Sequence, residues 1–255
     1  MNLFKINIKN SDLKIYTKNE QIFFIQLANF LNEINILQKT LIIINNNLNN
    51  LDKIHKRAQT AQSMFFLKIL IGKLNEGWEF FRGSFFGAKL SKEYKNKFSP
   101  SGKNSLSSLK KHFSQKNMFN YIRKKYSFHY DNESIKKEIS SRSKDEIFNI
   151  YLAQNPANCL YSFADSIVNW SILNYINSSD PQEAMDRLVG DTIRACGCFQ
   201  EVGLDLIKLF LEKLDLCWEE IIIEEPITYG ELTLPYFIKK NWEKQKNMFI
   251  IKDYF

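Results

Sequence analysis

Arg123 and His129 are the two residues of this sequence whose types and spacing are best suited to chemistry. They are separated by five residues in the run YIRKKYSFHYD, which covers positions 121–131. An arginine stays protonated and can bind two phosphate oxygens at once, whereas an imidazole, with a reference pKa of about 6.5, can accept and return a proton near neutral pH. Together the two groups are suited to reactions of a phosphodiester. Such spacings also arise by chance, so the surrounding residues must support the interpretation.

The pair lies at the carboxyl end of the most basic part of the chain. Residues 88–125 contain eleven lysines and arginines against one glutamate, a local charge of +10, while the whole chain carries +7 and the remainder therefore −3. Such a segment can be a solvated surface, a site for an acidic protein partner, or a surface that binds a nucleic-acid backbone. In the last case, the residues expected to bind nucleic acid are Lys103, Lys110, Lys111, Lys116 and Lys125.

The composition indicates a mainly helical globular protein. The 255 residues are 44% hydrophobic and 25% charged, with 21 phenylalanines but only 9 glycines and 5 prolines, which favours long helices over a turn-rich β-sandwich. No apolar stretch approaches the roughly 20 residues that span a bilayer, and the amino terminus lacks the apolar segment of a secretory signal. We therefore expect a cytoplasmic protein that does not bind a membrane.

The four cysteines predict neither a disulfide scaffold nor a metal site. Cys159, Cys196, Cys198 and Cys217 are few and irregularly spaced. The pair at 196 and 198 has no second pair and no nearby histidine that would complete a zinc site. We expect buried free thiols, no metal and no cofactor.

Periodicity divides the chain into helices, with smaller elements at both ends. Apolar residues at alternating steps of three and four predict a long helix from residue 20 to about 51, which an asparagine cluster at 45–47 can interrupt, and a second helix from 51 to 81. Loop signals, including two glycines and a Ser-Pro-Ser-Gly run, mark 83–105 as a connection. Further helices are expected at 105–114, 117–126, from 131 onward, 158–175 and 180–218, with a β-hairpin at 3–17 and strand-like residues after 221.

These elements predict one domain over residues 1–255. Its fold class is all-α in the main, a bundle of long antiparallel helices with small β additions at the termini. We expect the helical core at 19–218, with 1–18 and 219–255 as peripheral extensions.

Helix geometry limits how the two motif residues can meet. Residues six apart in a regular helix differ by about 240° in direction and about 9 Å in rise. Arg123 and His129 therefore meet only if the helix ends between them, or if two chains combine their pairs in a symmetric dimer. Glu76, near the end of the second expected helix, is either an exposed carboxylate or, if it turns inward, the partner of a cation from the basic segment.

The segment 123–131 resembles the signature of the HEPN superfamily, which is an arginine, four to six residues and a histidine. Here the motif ends in Phe-His-Tyr-Asp after an expected helix, and an earlier long helix contains the run KLNEGWE at 73–79. The resemblance in helical layout covers residues 20–215 and implies an all-α domain. Active HEPN proteins are typically metal-independent endoribonucleases of toxin–antitoxin, abortive-infection and other phage-defence systems, and they usually build the site at a dimer interface.

The resemblance implies a role for each motif residue. Arg123 would stabilise the charge that develops on the phosphate, and His129 would act as general base or acid for attack by the RNA 2′-OH. The products would be a 2′,3′-cyclic phosphate and a 5′-OH, so DNA could bind without being cleaved. Lys124 stands where active members commonly carry Asn, Asp or His. The residues expected to support the site are Glu76, Lys124, Tyr130 and Asp131.

Two functional interpretations remain open at this point. The first is a homodimeric ribonuclease that acts on RNA as a toxin or anti-phage defence effector, with an antitoxin or another defence protein as its partner. The second is a noncatalytic helical module of the same fold that binds RNA or a partner protein. A motif packed into the core would favour the module, whereas a motif that lines an open cleft would favour the enzyme.

Overall fold

The computed structural model describes residues 1–46, 51–88, 90–114, 117–129, 131–177, 179–214, 216, 218–225 and 227–238. Lys116, Tyr130 and Cys217, which the sequence analysis singled out, lie outside these residues. The described α-helices are α1 (Lys18–Asn45), α2 (Lys53–Phe80), α3 (Leu90–Tyr94), α4 (Pro100–Ser114), α5 (Met118–Ile122), α6 (Asn132–Ser141), α7 (Ser162–Ile176) and α8 (Pro181–Leu211). Two π-helices cover Phe81–Gly87 and Arg123–Ser127, and short 3-10 helices cover Asp12–Ile15, Lys95–Lys97, Pro156–Asn158 and Tyr229–Glu231. The mainly all-α fold class is confirmed.

Helices α1 and α2 form an antiparallel pair because each carries an apolar stripe. Leu27 and Ile34 on α1 are fully buried, as their three- and four-residue spacing predicts. The rings of Phe23 on α1 and Phe80 on α2 stack at 5.1 Å between centroids. Near the other end of the pair, the hydroxyl of Ser63 donates to the side-chain oxygen of Asn45 at 3.0 Å. These contacts join the start of α1 to the end of α2, and the end of α1 to the first half of α2.

Helix α8 completes the centre of the bundle and runs antiparallel to α1. Gln200 Nε2 donates to Gln38 Oε1 at 2.7 Å, and the Phe24 and Phe210 rings stack at 4.5 Å. The helix begins as expected, with the Asp180 side chain accepting two backbone N–H bonds and a proline at the first helical position. It ends at Leu211 rather than near residue 218.

Aromatic side chains fill the space between these helices. Phe199 on α8 contacts Phe30 edge-to-face at 5.0 Å and Phe81 at 5.6 Å. Phe81 and Phe199 have no exposed surface, and burying a side chain of this kind contributes about 1.5–3 kcal/mol. The abundance of phenylalanine in the sequence is therefore explained by an aromatic core.

The prediction that residues 83–105 form a loop connection is wrong, because most of this stretch is helical and partly buried. The π-helix after α2, then α3 and a 3-10 turn lead directly into α4, which begins at Pro100. Phe85 and Tyr94 are fully buried, and Phe98 is 3% exposed. Burial of these rings outweighs the local turn preference of the glycines and serines. Helix α4 then packs antiparallel to α8, where Ser99 N and Oγ both donate to Asp205 Oδ2 at 2.8 Å.

The β-hairpin expected at 3–17 is also wrong. Strand β1 (Asn2–Ile6) pairs instead with β2 (Trp218–Ile222), antiparallel and in register from Asn2 with Ile222 to Ile6 with Trp218. The expected return strand begins as a 3-10 turn, in which the Asp12 carboxylate accepts the Lys9 N–H at 2.8 Å. The side chain of Asp12 thus bonds to the backbone three residues before it. Strand β1 pairs instead with a segment far along the chain. The prediction of β structure contributed by both termini is confirmed.

The smaller sequence predictions have mixed outcomes. Helix α1 ends at Asn45, inside the asparagine cluster. Cys159 and Cys196 are buried free thiols, and burial raises the pKa of Cys196 to about 12. Cys198 is also a free thiol but is only half-buried, so the expected burial is wrong for this residue. None of the helices in the described ranges is both long and apolar enough to cross a membrane.

The buried carboxylate of Glu20 accepts hydrogen bonds from three parts of the bundle. Glu20, 6% exposed at the start of α1, accepts the Tyr94 hydroxyl at 2.6 Å, the Thr17 N–H at 2.8 Å and the Lys213 ammonium at 3.3 Å. Burial raises the pKa of Glu20, but the hydrogen bonds from Tyr94 and Thr17 together with the charge of Lys213 outweigh it and lower the pKa to about 2.

We expect Glu20→Gln to reduce the free energy of unfolding by about 3 kcal/mol at pH 7, because each pKa unit corresponds to about 1.4 kcal/mol. A lowered pKa in the folded state gives stability that is present above pH 4.5, the ordinary value, and is lost as the pH falls toward 2. The difference in the free energy of unfolding between wild type and variant should therefore become smaller as the pH falls through this range. Urea unfolding at a series of pH values measures both effects.

Glu79→Gln is the matched control, because Glu79 is half-exposed and, within the described part of the chain, forms an ion pair only with Arg82, three residues later. It should change the free energy of unfolding by less than about 0.5 kcal/mol. Equal pH dependence of wild type and Glu20→Gln would contradict the role assigned to Glu20.

Candidate functional site

The motif lies on a short helical segment that is anchored by two buried residues and then stops. Phe119 and Ile122 on α5 have no exposed surface. The π-helix Arg123–Ser127 continues α5, and Phe128 leaves helical geometry with φ −135° and ψ 4°. The helix therefore ends between Arg123 and His129, as convergence within one chain requires. π-helices of one or two turns occur frequently at functional sites.

The end of this segment is held directly against the backbone of α2. The hydroxyl of Ser127 donates to the carbonyl oxygen of Lys68 at 2.7 Å. A Cβ atom at Gly72 would lie 2.9 Å from Cε2 of Phe128 and 3.0 Å from Cβ of Ser127. Because real Cβ contacts are longer than this, only glycine lets residues 127 and 128 come so close.

Arg123 is held by the carboxylate of Glu76, which lies on α2 one turn after Gly72. Its Nε donates to Glu76 Oε1 at 2.6 Å, and the two side chains are 34% and 46% exposed. Glu76 follows Gly72 by four residues and so lies on the same face of α2. Among the described residues, no acceptor other than Glu76 binds this guanidinium. Of the two alternatives for Glu76, the structure shows the exposed carboxylate, and this exposed carboxylate pairs with a cation of the basic segment, Arg123.

His129 is exposed on the protein surface. It follows Phe128, which is 54% exposed, and within the described residues no hydrogen bond or ion pair joins its ring to Arg123 or to any other side chain. The motif thus has an anchored arginine before the helix end and an accessible histidine after it.

Asp131, one of the expected supporting residues, has two structural contacts. Asp131 caps α6 by accepting the backbone N–H of Ser134 at 3.0 Å, and it forms an ion pair with Lys125. The hydrogen bond from Lys125 and then those from Ser134 lower the pKa of Asp131 to about 2, and the same contact raises the pKa of Lys125. The charge of Lys125 is therefore matched locally, whereas Lys124 is exposed.

The described lysines expected to bind nucleic acid on α4 are all exposed, but they do not form one stripe. Lys110 places its ammonium 4.7 Å from the ring centre of Phe86. Lys111 instead lines a pocket that also includes Arg187 and Arg194 of α8. Consecutive helical residues point about 100° apart, so the basic segment serves more than one surface. The two arginines were missed by the sequence analysis, although their seven-residue spacing places them on one helix face.

Comparison with known proteins gives no family assignment. The chain matches no protein-family model, no curated protein and no solved structure at a significant level. Within the described residues, no three His, Cys, Asp or Glu side chains are grouped so that they could hold a metal ion.

We expect Gly72→Ala to disturb the motif although alanine is the better helix former. The added methyl must displace Phe128 and Ser127, so the free energy of unfolding should fall by about 1–3 kcal/mol. Amide hydrogen exchange should become faster at residues 123–129.

Gly190→Ala on α8 is the matched control, since no atom lies within 4 Å of a Cβ built there. It should stabilise the protein by about 0.5–1 kcal/mol. If Gly72→Ala stabilised the protein to the same extent, the close approach would not hold the motif in place.

Proposed function

We propose that this protein is a metal-independent endoribonuclease of the HEPN type, in which Arg123 and His129 act on an RNA phosphodiester. The observation that carries the proposal is the helix end at Ser127, which separates Arg123, anchored on α2, from an exposed His129. An accessible motif favours the enzyme over a motif buried for structural reasons. Because the histidine is solvent-exposed, a substrate can reach it without unfolding of the bundle.

The contact with Glu76 suits Arg123 to bind a phosphate. It engages Nε and fixes the guanidinium, and an arginine has further donors on its two terminal nitrogens. A side chain held by one acceptor loses less conformational entropy when it then binds a second. Phosphate oxygens that gain negative charge during the reaction would be stabilised by these terminal donors.

The proposed reaction uses the nucleophile that RNA itself supplies. The imidazole of His129 accepts the proton of the 2′-OH, and the 2′-oxygen forms a bond to phosphorus. The bond from phosphorus to the 5′-oxygen breaks, and this oxygen takes a proton either from the partner subunit's His129 or from water. The products are a 2′,3′-cyclic phosphate and a 5′-OH. DNA lacks the nucleophile and is not cleaved.

The biological setting belongs to the same proposal. We infer a homodimer in which two exposed motifs share one cleft, acting as a toxin or anti-phage defence effector under the control of an antitoxin or another defence protein. The lysines of α4 would bring RNA to the motif through its phosphates.

A second function, RNA binding without cleavage, is favoured by one observation. The carboxylate of Glu76 lies 2.6 Å from the guanidinium of Arg123 and partly offsets the positive charge that a transition state would need. In this alternative the motif holds RNA or a partner protein, and the pairing of Arg123 with Glu76 is a structural contact between α2 and the motif segment.

We expect the purified protein to cleave a pool of single-stranded and structured RNA in EDTA and to leave cyclic phosphate ends. Arg123→Ala and His129→Ala should each reduce the rate at least about 100-fold, because a positioned acid or base contributes about 10²–10⁴ and loss of a donor to the developing negative charge costs about 10²–10³. Analysis of the product ends by mass spectrometry measures the outcome.

The chain offers a matched control for each variant. Arg82→Ala removes an exposed arginine that also pairs with a glutamate, and His55→Ala removes an exposed histidine bonded to Asp52. Both should cleave like wild type. Cleavage that persists in His129→Ala would refute the mechanism, and absence of cleavage by well-folded wild type would favour the binding module.

Binding of RNA should be separable from its cleavage. We expect His129→Ala to keep its RNA affinity, whereas replacing Lys110, Lys111 and Lys116 by glutamine should weaken binding at least about tenfold and flatten its salt dependence by about 0.7 per lost phosphate contact. Fluorescence anisotropy at several salt concentrations measures both quantities. An unchanged affinity of the triple variant would exclude these three lysines as RNA-binding residues.

A further inference from the structure

A polar pocket lies between α4 and α8 and reaches the start of α5. Its volume is about 580 Å³, within the range of about 300–1,000 Å³ that is common for ligand sites. Helix α4 contributes Lys111 and His112, α7 contributes Tyr175, and α8 contributes Arg187 and Arg194. We refer to this feature as the α4–α8 pocket.

The charge of the α4–α8 pocket is positive and largely uncompensated. Three of its lining residues are cationic, Lys111, Arg187 and Arg194, and Asp191 is the one carboxylate among them. Asp191 accepts from Arg194 Nη1 at 3.2 Å. Within the described residues, no carboxylate pairs with Lys111 or Arg187. Cations gathered around one cavity repel each other, so an anion that enters the cavity is favoured.

A second, uncharged polar group in the wall points to a ligand as well. Nε2 of His112 is buried and has no hydrogen-bond partner among the described residues. The ring packs edge-to-face on Phe113 and Phe119, at 4.8 and 4.6 Å between centroids. Burial lowers the pKa of His112, so the ring is neutral near pH 7 and can donate or accept one hydrogen bond. A buried polar atom without a partner is costly, and a bound ligand would remove part of that cost.

An aromatic ring of the pocket connects it to the motif. Tyr175 stacks on Tyr121 with 3.5 Å between ring centroids and an angle of 6° between planes. Tyr175 is still 39% exposed, so part of its surface is open to a further ring. Tyr121 precedes Arg123 by two residues on the same helical segment, and Met118 of the pocket wall precedes Arg123 by five.

We propose that the α4–α8 pocket binds a nucleotide of single-stranded RNA that flanks the phosphodiester at Arg123. Lys111, Arg187 and Arg194 bind its phosphate, and the base stacks on Tyr175. Single-stranded RNA fits better than duplex, because phosphate-binding cations next to an open aromatic ring are the features by which proteins hold unpaired nucleotides. The inference rests on the proposed function in its choice of RNA as ligand.

The test uses a 12-nucleotide single-stranded RNA, labelled with fluorescein and 2′-O-methylated at every position so that it cannot be cleaved. Arg187→Gln/Arg194→Gln should weaken its binding about tenfold or more in fluorescence anisotropy, and should reduce the slope of log Kd against log salt by about 0.7, because the two arginines bind one phosphate and each phosphate contact contributes about 0.7. Arg82→Gln, which replaces an exposed arginine outside the pocket, should bind like wild type.

A second pair of variants tests the aromatic contact. Tyr175→Phe keeps the ring and should bind like wild type, whereas Tyr175→Leu should lose at least about fivefold in affinity, the lower end of what one stacked base provides. Thermal unfolding of each variant confirms that the fold is intact. Equal binding of the RNA by wild type and the double arginine variant would overturn the proposal, and so would displacement of the RNA by free AMP at equimolar concentration, which would identify a free-nucleotide site instead.

The two proposals can fail separately. If the wild type does not cleave RNA but the arginine variant loses affinity, the α4–α8 pocket stands as an RNA site and the noncatalytic binding module is favoured over the ribonuclease. If the wild type cleaves RNA through His129 and the arginine variant binds and cleaves equally well, the ribonuclease stands and the assignment of the pocket is wrong.

Discussion

The position of the motif depends on how closely residues 127 and 128 approach the backbone of α2. A hydroxyl bonded to a main-chain carbonyl at 2.7 Å and a ring packed over Gly72 define this contact, and neither depends on a long, adaptable side chain. The ion pair between Arg123 and Glu76 lies one helical turn further along. Because α2 is itself packed against α1 and α8, the backbone at residues 127 and 128 is held by the centre of the bundle. His129 follows directly and is exposed, with no protein partner of its own among the described residues.

Much of the fold could be predicted from the sequence because its information is local. The apolar stripe around Leu27 and Ile34, the proline after Asp180 and the cap at Asp131 each report on neighbours within one or two turns. The failures have a common cause, which is dependence on distant residues. Strand β1 pairs with a segment more than 200 positions away, and the aromatic residues of the expected connection at 83–105 are helical because they enter a core built by other helices.

The candidate site shows the same division. From the sequence, residue types and spacing indicate Arg123 and His129 as a candidate pair, and they indicate a cation of the basic segment as the partner of Glu76 only if that carboxylate turns inward. They did not reveal that Gly72 and the Lys68 carbonyl receive the end of the motif segment, since an interior helix glycine and a backbone oxygen leave no recognisable pattern. The sequence also gives no sign that Lys111 and Arg187, 76 positions later in the chain, line the same cavity. Only the antiparallel packing of α4 against α8 brings them together.

The pairing of β1 with β2 also constrains how the protein forms during its synthesis. Strand β1 leaves the ribosome well before β2, because the strand that completes its hydrogen bonds emerges only after more than 200 further residues. At about 5–20 residues per second this interval lasts roughly 10–40 seconds. Helices α1 and α2 can pair within the first part of it, whereas the edge of β1, which carries Phe4, stays open until β2 emerges. A nascent chain of this protein therefore exposes a strand edge that the finished molecule conceals, and crowding of ribosomes on one message would bring such edges together.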